Sequence, residues 1–457
     1  MNVSIRHTLK QKKPFLLVLT VVFFLGCNSS NDKLFTKLSS FKTGIKFKNI
    51  LKETDEFNVL TYGYLYNGGG IAIGDVNKDG LEDIYFTGNM VASRLYINQG
   101  NLEFKEVAKE AGVDAPGLWN TGTTMVDVNG DGWLDIFVCR SAAKNPIYRK
   151  NLVFINNGDM TFTESAGLLG INDTGYTTQA LFFDYDRDND LDLYVLNHSV
   201  QEYAGFSKVI GSLKNKSNQD YGDRFYENVA GLFLDKTTKA GIKTNVLGFG
   251  LGIAMGDFNN DNWPDLYISN DYNEQDYLYI NNQDGTFSDQ LEKYITHTSM
   301  FSMGSDVADI NNDGYTDILT LDMLPEGNTR QKMVFGPDNY EKYQRLVKSG
   351  FYNQTMRNML HLNQEGAFFT EVGQLAGISN TDWSWSSLFA DFDSDGLKDL
   401  FVTNGYKRDY TNMDFVSYAV QQKINETKTN KEIAVVDLIE KMPATEEINY
   451  KIGRAHV

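Results

Sequence analysis

A nine-residue pattern, Asp-x-Asp/Asn-x-Asp-Gly/Asn-x-x-Asp, occurs six times in this chain. The copies run Asp75–Asp83, Asp127–Asp135, Asp184–Asp192, Asp257–Asp265, Asp309–Asp317 and Asp391–Asp399. Each is followed by a short apolar or β-branched run such as Ile84-Tyr-Phe, Ile136-Phe-Val or Leu193-Tyr-Val. Successive first aspartates stand 52, 57, 73, 52 and 82 residues apart. A repeat on this scale confines the fold to an array of similar units, each burying its face against a neighbour.

The loops carry their own chemistry. Oxygen side chains recur at positions 1, 3, 5 and 9. They are Asp75, Asn77, Asp79 and Asp83; Asp127, Asn129, Asp131 and Asp135; Asp184, Asp186, Asp188 and Asp192. The later loops give Asp257, Asn259, Asp261 and Asp265; Asp309, Asn311, Asp313 and Asp317; Asp391, Asp393, Asp395 and Asp399. Calcium is a hard cation that takes about six to eight oxygens, so these 24 residues are the candidate ligands of up to six structural Ca2+ ions. Position 6 calls for a left-handed backbone. Gly80, Gly132, Gly314 and Gly396 suit it, as do Asn189 and Asn262. An EF-hand needs a glutamate at position 12 and flanking helices. Here position 12 holds Phe86, Val138, Val195, Ile268, Thr320 and Val402 inside strand-like runs. The reading is therefore a β-turn calcium loop; an acidic turn that binds nothing is the alternative.

Charge follows the same pattern. Four loops present three carboxylates and two present four, 20 in all, against a net charge of −18. The remainder of the chain is near neutral, with no basic stripe for nucleic acid.

Between loops one unit recurs. An apolar strand enters the loop, a second leaves it, a third reads like Leu95-Tyr-Ile-Asn98 or Leu278-Tyr-Ile-Asn281, and a fourth follows an Asn/Gly turn. Four strands in about fifty residues make a β-propeller blade. The fold class is all-β, with seven blades expected in the full protein. This chain is expected to hold one closing strand at Thr43–Asn49, five full blades and half of a sixth. The polar, proline-broken segments 323–358 and 407–446 are expected to be helical insertions on the rim, or loops.

The two ends read differently. Residues 1–26 have a basic start and an apolar core from Phe15 to Leu25, too short to span a bilayer, and read as a secretory signal. The run Phe24-Leu-Gly-Cys27 resembles a bacterial lipobox, making Cys27 the lipidation site and 27–42 a tether. Acylation there would anchor the protein to a membrane through Cys27 and leave Cys139 as a lone buried thiol. The incomplete propeller occupies 43–451. Residues 452–457 match no blade and resemble the translation of a sequencing adapter.

The loops and blades together resemble the VCBS and FG-GAP repeat family. That resemblance implies an integrin-type propeller with calcium in the loop joining each blade's first two strands. The runs from Thr61-Tyr-Gly-Tyr64 to Asp75, and from Leu319 through Met323-Leu-Pro-Glu326 to Tyr340, resemble a narrower group. These are bacterial surface lipoproteins similar to cartilage acidic protein, often ending in an ASPIC/UnbV domain.

For function the sequence offers two classes. One is a binding or scaffold module for an extracellular glycan or protein. Its candidate contact residues are Tyr62, Tyr64, Tyr66, Trp119, Tyr176, Phe249, Phe301, Trp383 and Trp385, which line the blade entrances. The same rings can instead fill the propeller's central plug. The other class is the non-catalytic propeller of a polysaccharide-degrading enzyme. No catalytic or organic-cofactor residue is assigned: His198, His297 and His361 are scattered, and no H-E-x-x-H, G-x-S-x-G or P-loop occurs.

Overall fold

The computed structural model describes residues 34–201, 208–335, 340–429, 433–444 and 447–453. The expected signal segment, Cys27 with the tether as far as residue 33, and Arg454–Val457 lie outside the described residues. The chain divides into two units, residues 1–38 and 39–457, and the propeller belongs to the second.

Alternation builds the blades. Along Ile71–Gly74 exposed and buried residues alternate, as expected of a strand with one face on a neighbour. The second strands, such as Asp135–Arg140 and Asp265–Asn270, are buried throughout because a blade packs on each side. Blade 1 consists of Ile71–Gly74, Asp83–Phe86, Arg94–Asn98 and Phe104–Glu106, hydrogen-bonded in sequence order as an antiparallel meander. Blades 2 to 5 begin at Asn120, Thr177, Gly250 and Ser305 and repeat that order. Blade 6 has three strands, Ser384–Ala390, Asp399–Asn404 and Tyr450–Ile452. The described chain thus has six blades rather than five and a half, because Tyr450–Ile452 pairs with Leu400–Val402.

The seams between blades are the core. Tyr85 and Leu95 of blade 1 pack with Ile136, Val138 and Phe154 of blade 2. Phe137 and Cys139 of blade 2 meet Leu193 and Val195 of blade 3. Tyr194 and Phe225 of blade 3 meet Leu266 and Tyr279 of blade 4. Burial of this kind contributes roughly 1.5–3 kcal/mol per large side chain.

Short helical turns link the blades, and glycine ends three of them, while Leu291–Tyr294 ends at Ile295. Ala166–Leu169 stops at Gly170, whose φ of 82° is left-handed. A Cβ there would stand 2.7 Å from the Phe233 carbonyl oxygen on the next blade's fourth strand. The turn Ser40–Thr43 stops at Gly44 in the same way, with the Phe104 carbonyl oxygen 2.4 Å from a would-be Cβ. This corrects the expected closing strand. Among the described residues Thr43–Asn49 has no ladder partner; it is a blade-linking turn followed by an extended segment lying on blade 1. There the Lys46 N–H donates to the Tyr96 hydroxyl and Phe47 stacks on Phe86 at 5.1 Å.

The insertions are helical in part, with helices at Asn328–Val334, Tyr340–Lys348, Met413–Thr429 and Val435–Ile439. A further short helix, Lys208–Leu213, lies within the long spacing between loops 3 and 4. Among the described residues no helix is long and apolar enough to cross a membrane.

Candidate functional site

All six acidic loops join the first and second strands of their blades, so they stand at one end of the propeller. Their backbones are near copies. The position 1 carboxylate accepts the N–H groups of positions 5 and 6: Asp127 from Asp131 at 3.1 Å and Gly132 at 2.7 Å, Asp309 from Asp313 at 3.0 Å and Gly314 at 2.8 Å. Asp75, Asp184, Asp257 and Asp391 do the same. The position 5 carboxylate accepts the N–H of position 7, as Asp79 does from Leu81 and Asp261 from Trp263, both at 2.8 Å. Two residues per loop are left-handed, not one. Position 6 is, as expected, and so is position 4: Lys78, Gly130, Arg187, Asn260, Asn312 and Ser394 all have φ between 58° and 73°.

The side chains sort the loops into two kinds. In loops 3 and 6 the carboxylates of Asp184, Asp186 and Asp188, and of Asp391, Asp393 and Asp395, lie within 4.8 Å of one another. Loops 1, 2, 4 and 5 carry Asn77, Asn129, Asn259 and Asn311 at position 3, each donating to the following aspartate at 2.9–3.0 Å. Loop 3 is the most acidic, since Asp190 adds a fifth carboxylate at position 7. Its Asp186 Oδ1 and Asp190 Oδ1 are buried without a hydrogen-bond partner. Burial first, then the neighbouring carboxylates, push Asp190 up to about 6. An all-oxygen donor set with buried, unsatisfied oxygens fits a hard cation such as calcium. Bound there, the ion would neutralise crowded carboxylates.

Position 9 is built differently from the rest. Asp83, Asp135, Asp192, Asp265, Asp317 and Asp399 are buried. One oxygen accepts the N–H of loop position 2, as Asp265 does from Phe258 at 2.9 Å. The other accepts an asparagine N–H on the third strand, as Asp265 does from Asn281 at 2.8 Å. Asn98, Asn156, Asn228 and Asn363 serve the first, second, third and fifth blades likewise. In blade 6 the Lys451 ammonium stands 3.0 Å from Asp399 Oδ1 instead. Burial pushes Asp83, Asp135 and Asp317 up to about 6, and Asp192 and Asp265 to about 7.

The third-strand asparagines were not among the expected site residues, yet they tie neighbouring loops together. Asn156 Nδ2 donates to the Val76 carbonyl of loop 1 and to the Leu134 carbonyl of loop 2. Asn281 bridges Tyr185 to Pro264, and Asn363 bridges Phe258 to Thr316. The signal was present in Tyr-Ile-Asn98, Phe-Ile-Asn156 and Tyr-Ile-Asn281, always beside a turn that seemed reason enough for it.

The opposite ends of the inner strands carry the plug. The segment through Gly63–Tyr66 inserts its rings among the blade entrances. The Tyr62 hydroxyl lies 3.2 Å from Ser141 Oγ and 3.3 Å from His198 Nε2, and the Tyr64 hydroxyl donates to Asp271 at 2.9 Å. Tyr66 donates to Glu53. Of the expected contact aromatics, Tyr62, Tyr64, Tyr66, Trp119, Tyr176, Phe249 and Trp383 are buried, and Phe301 and Trp385 are half-buried. They serve the plug, some packing edge-to-face as Tyr62 does on Trp119 at 5.8 Å and others stacked as Trp383 is on Tyr406 at 4.1 Å. His198 belongs here too: its Nδ1 faces the Ser199 carbonyl at 2.8 Å, which leaves Nε2 to accept from Ser141. Burial holds it neutral, pushed down to about 4. His297 and His361 lie elsewhere, with ring centres 6.4 Å apart beside Arg357 and Glu371.

A family description of FG-GAP-like repeats matches residues 75–138 and 257–320, each span running from one acidic loop through the next and into the second strand of the following blade. Those two spans are similar to FG-GAP-like repeats. It is also similar to cartilage acidic protein 1 of Mus musculus, 25% identical over 202 residues, which is 44% of this chain and 28% of that protein. The Xenopus tropicalis protein is 26% identical over 205 residues, 45% of this chain and 29% of its own. The match therefore spans less than a third of these relatives. The solved structure of the V. cholerae biofilm matrix protein Bap1 aligns over 65% of this chain and 38% of its own, at 12% identity and a TM-score of 0.33. An FG-GAP-like propeller is typically a non-catalytic module, and the fold fits binding or scaffolding.

Proposed function

We propose that this chain is a calcium-stabilised, cell-surface propeller that acts as a binding or scaffold module for an extracellular glycan or protein. What carries the reading is the sixfold return of one carboxylate loop at one end of every blade. Six shaped, all-oxygen loops make sense where calcium is plentiful, which is outside the cell. The anchor belongs to the same reading: acylation of Cys27 would hold the module on the outer membrane. A second reading is a non-catalytic propeller within a polysaccharide-degrading enzyme, its catalytic part lying in another segment.

A seventh blade is part of the proposal. Ile71 and Ile73 of blade 1 are 60% and 62% exposed, on the face where other blades receive their predecessor. At the register of Ile73, Phe182 of blade 3 is 9% exposed. On blade 6 Leu388 is 51% exposed, facing onward. Two open apolar faces of this kind suit one further sheet between blades 6 and 1.

The test is thermal melting in millimolar calcium against excess chelator. Sites of about 0.1 mM affinity contribute about 1.4 kcal/mol each in millimolar calcium, so stripping six should lower the Tm by roughly ten degrees or more. An unchanged melt rejects the calcium assignment.

A further inference from the structure

Beneath the plug, the inner strands surround a cavity of about 570 Å³ on the propeller axis. Its volume lies within the roughly 300–1,000 Å³ of small-molecule sites. Residues of blades 1, 2, 3, 4 and 6 and of the entrance to blade 5 line it, and none of them is charged. We propose that this cavity is a binding subsite for a neutral saccharide. The inference rests on the reading of the chain as an extracellular binding module, and names the chemistry of the ligand.

The walls combine two kinds of surface. One is aromatic: Tyr62, Tyr64, Trp119 and Trp385 line the space. Trp385 is held in place, since its indole N–H donates to the Gly405 carbonyl at 2.6 Å and its ring stacks parallel to Tyr406. Such rings offer flat apolar surface to the C–H face of a pyranose.

The other surface is a set of fixed acceptors. Thr123 donates its hydroxyl proton to Phe137 O at 2.7 Å and Thr178 to Gly250 O at 2.8 Å; Thr124 and Thr403 likewise donate to backbone carbonyls. With their protons committed, these oxygens keep lone pairs for a donor. Asn67 adds a carbonyl oxygen, Oδ1, that is buried without a partner. Gln179 adds an exposed amide that can donate as well as accept.

Alternatives fit less well. An anion would find no cationic partner in the cavity, and a wholly apolar ligand would strand Asn67 Oδ1 and the threonine oxygens. A neutral polyol supplies hydroxyl protons to these oxygens and C–H faces to the rings.

The experiment is calorimetric titration of the full chain in millimolar calcium. The probes are neutral oligosaccharides, an acidic oligosaccharide and tetramethylammonium. Asn67→Ala and Gln179→Ala are chosen because no internal side-chain hydrogen bond is lost with either. Each should weaken neutral-saccharide binding about tenfold while the melt stays unchanged. Saccharide binding untouched by both substitutions overturns the site. Preference for the acidic sugar or for tetramethylammonium overturns the chemistry. Capture of a glycan-free protein with no saccharide binding also overturns this proposal, but leaves the binding-module reading intact. That wider reading fails separately, in the calcium melt.

Discussion

The Lys78 ammonium of loop 1 sits over the Trp133 ring of loop 2, 4.1 Å from its centre. Arg187 of loop 3 repeats the arrangement over Trp263 of loop 4 at 5.0 Å, and also donates to the Asn262 carbonyl. Position 4 of one loop thereby reaches position 7 of the next in two of the blade pairs. The contact is possible because position 4 is left-handed and projects its side chain sideways. A double-mutant cycle of Lys78→Ala and Trp133→Ala should show a coupling of about 0.5–1 kcal/mol in chemical denaturation. Strict additivity would mean that the two loops stand independently.

The loops should not bind alike. Loop 3 brings five carboxylates together, two of its oxygens buried and unpaired, whereas loop 1 replaces one carboxylate with Asn77. More ligand charge raises calcium affinity. Terbium luminescence should detect a tightest site that vanishes with Asp186→Ala and survives Asn77→Ala. Loss with the second substitution but not the first reverses the ranking.

Position 9 has a structural role that does not wait for metal. Asp265 accepts the N–H groups of Phe258 and Asn281, so truncation leaves two buried donors unpaired. Each costs about 1–3 kcal/mol. In chelator, Asp265→Ala should therefore destabilise by about 2–6 kcal/mol, while Asp261→Ala, on the loop's rim, should cost about 1 kcal/mol or less. Equal losses would make both residues simple loop ligands.

Much of this was legible in the sequence, because a loop built around oxygen ligands needs fixed residues at fixed spacing. The four-stranded blade and the place of each loop within it followed from the same repeat, whereas the count came out at six blades and not five and a half, because the third strand of blade 6 pairs. Position 4 was not legible: Lys78, Arg187, Asn260, Asn312 and Ser394 share a backbone conformation but no side-chain chemistry. Thr43–Asn49 misled for a different reason. Ile45 and Phe47 alternate as in a strand, but a ladder needs a partner, and only the turn ending at Gly44 shows how this segment docks. The aromatic entrances were ambiguous in sequence, since a ring that stacks on a ligand and a ring that stacks on Tyr62 have the same residue type.

Stability should fall as pH rises through the weakly acidic range. Asp276 accepts from the Tyr267 hydroxyl, the Asn270 N–H and Ser302, and Asp223 from the Tyr194 hydroxyl and the Asn197 N–H. Burial outweighs these bonds and pushes both carboxyls up to about 7. An unfolded aspartate titrates near about 3.9. The folded chain thus holds protons that the unfolded chain releases, and stability drops between about pH 4 and pH 7. Asparagine mimics the protonated acid, so Asp276→Asn should narrow the gap between urea midpoints at pH 5 and pH 8 in chelator. A gap that widens would give Asp276 the opposite sign.

The open faces of blades 1 and 6 make the last prediction. Ile71, Ile73 and Leu388 present apolar surface where the other seams are closed. Strand faces and edges left in this state drive association between chains. The 457-residue chain should self-associate at micromolar concentration, and Ile73→Glu with Leu388→Glu should shift it toward monomer in light scattering. Neither residue belongs to a closed seam, so the melt should hold. A wild-type chain that stays monomeric would show that these faces are covered in solution by something other than a second molecule.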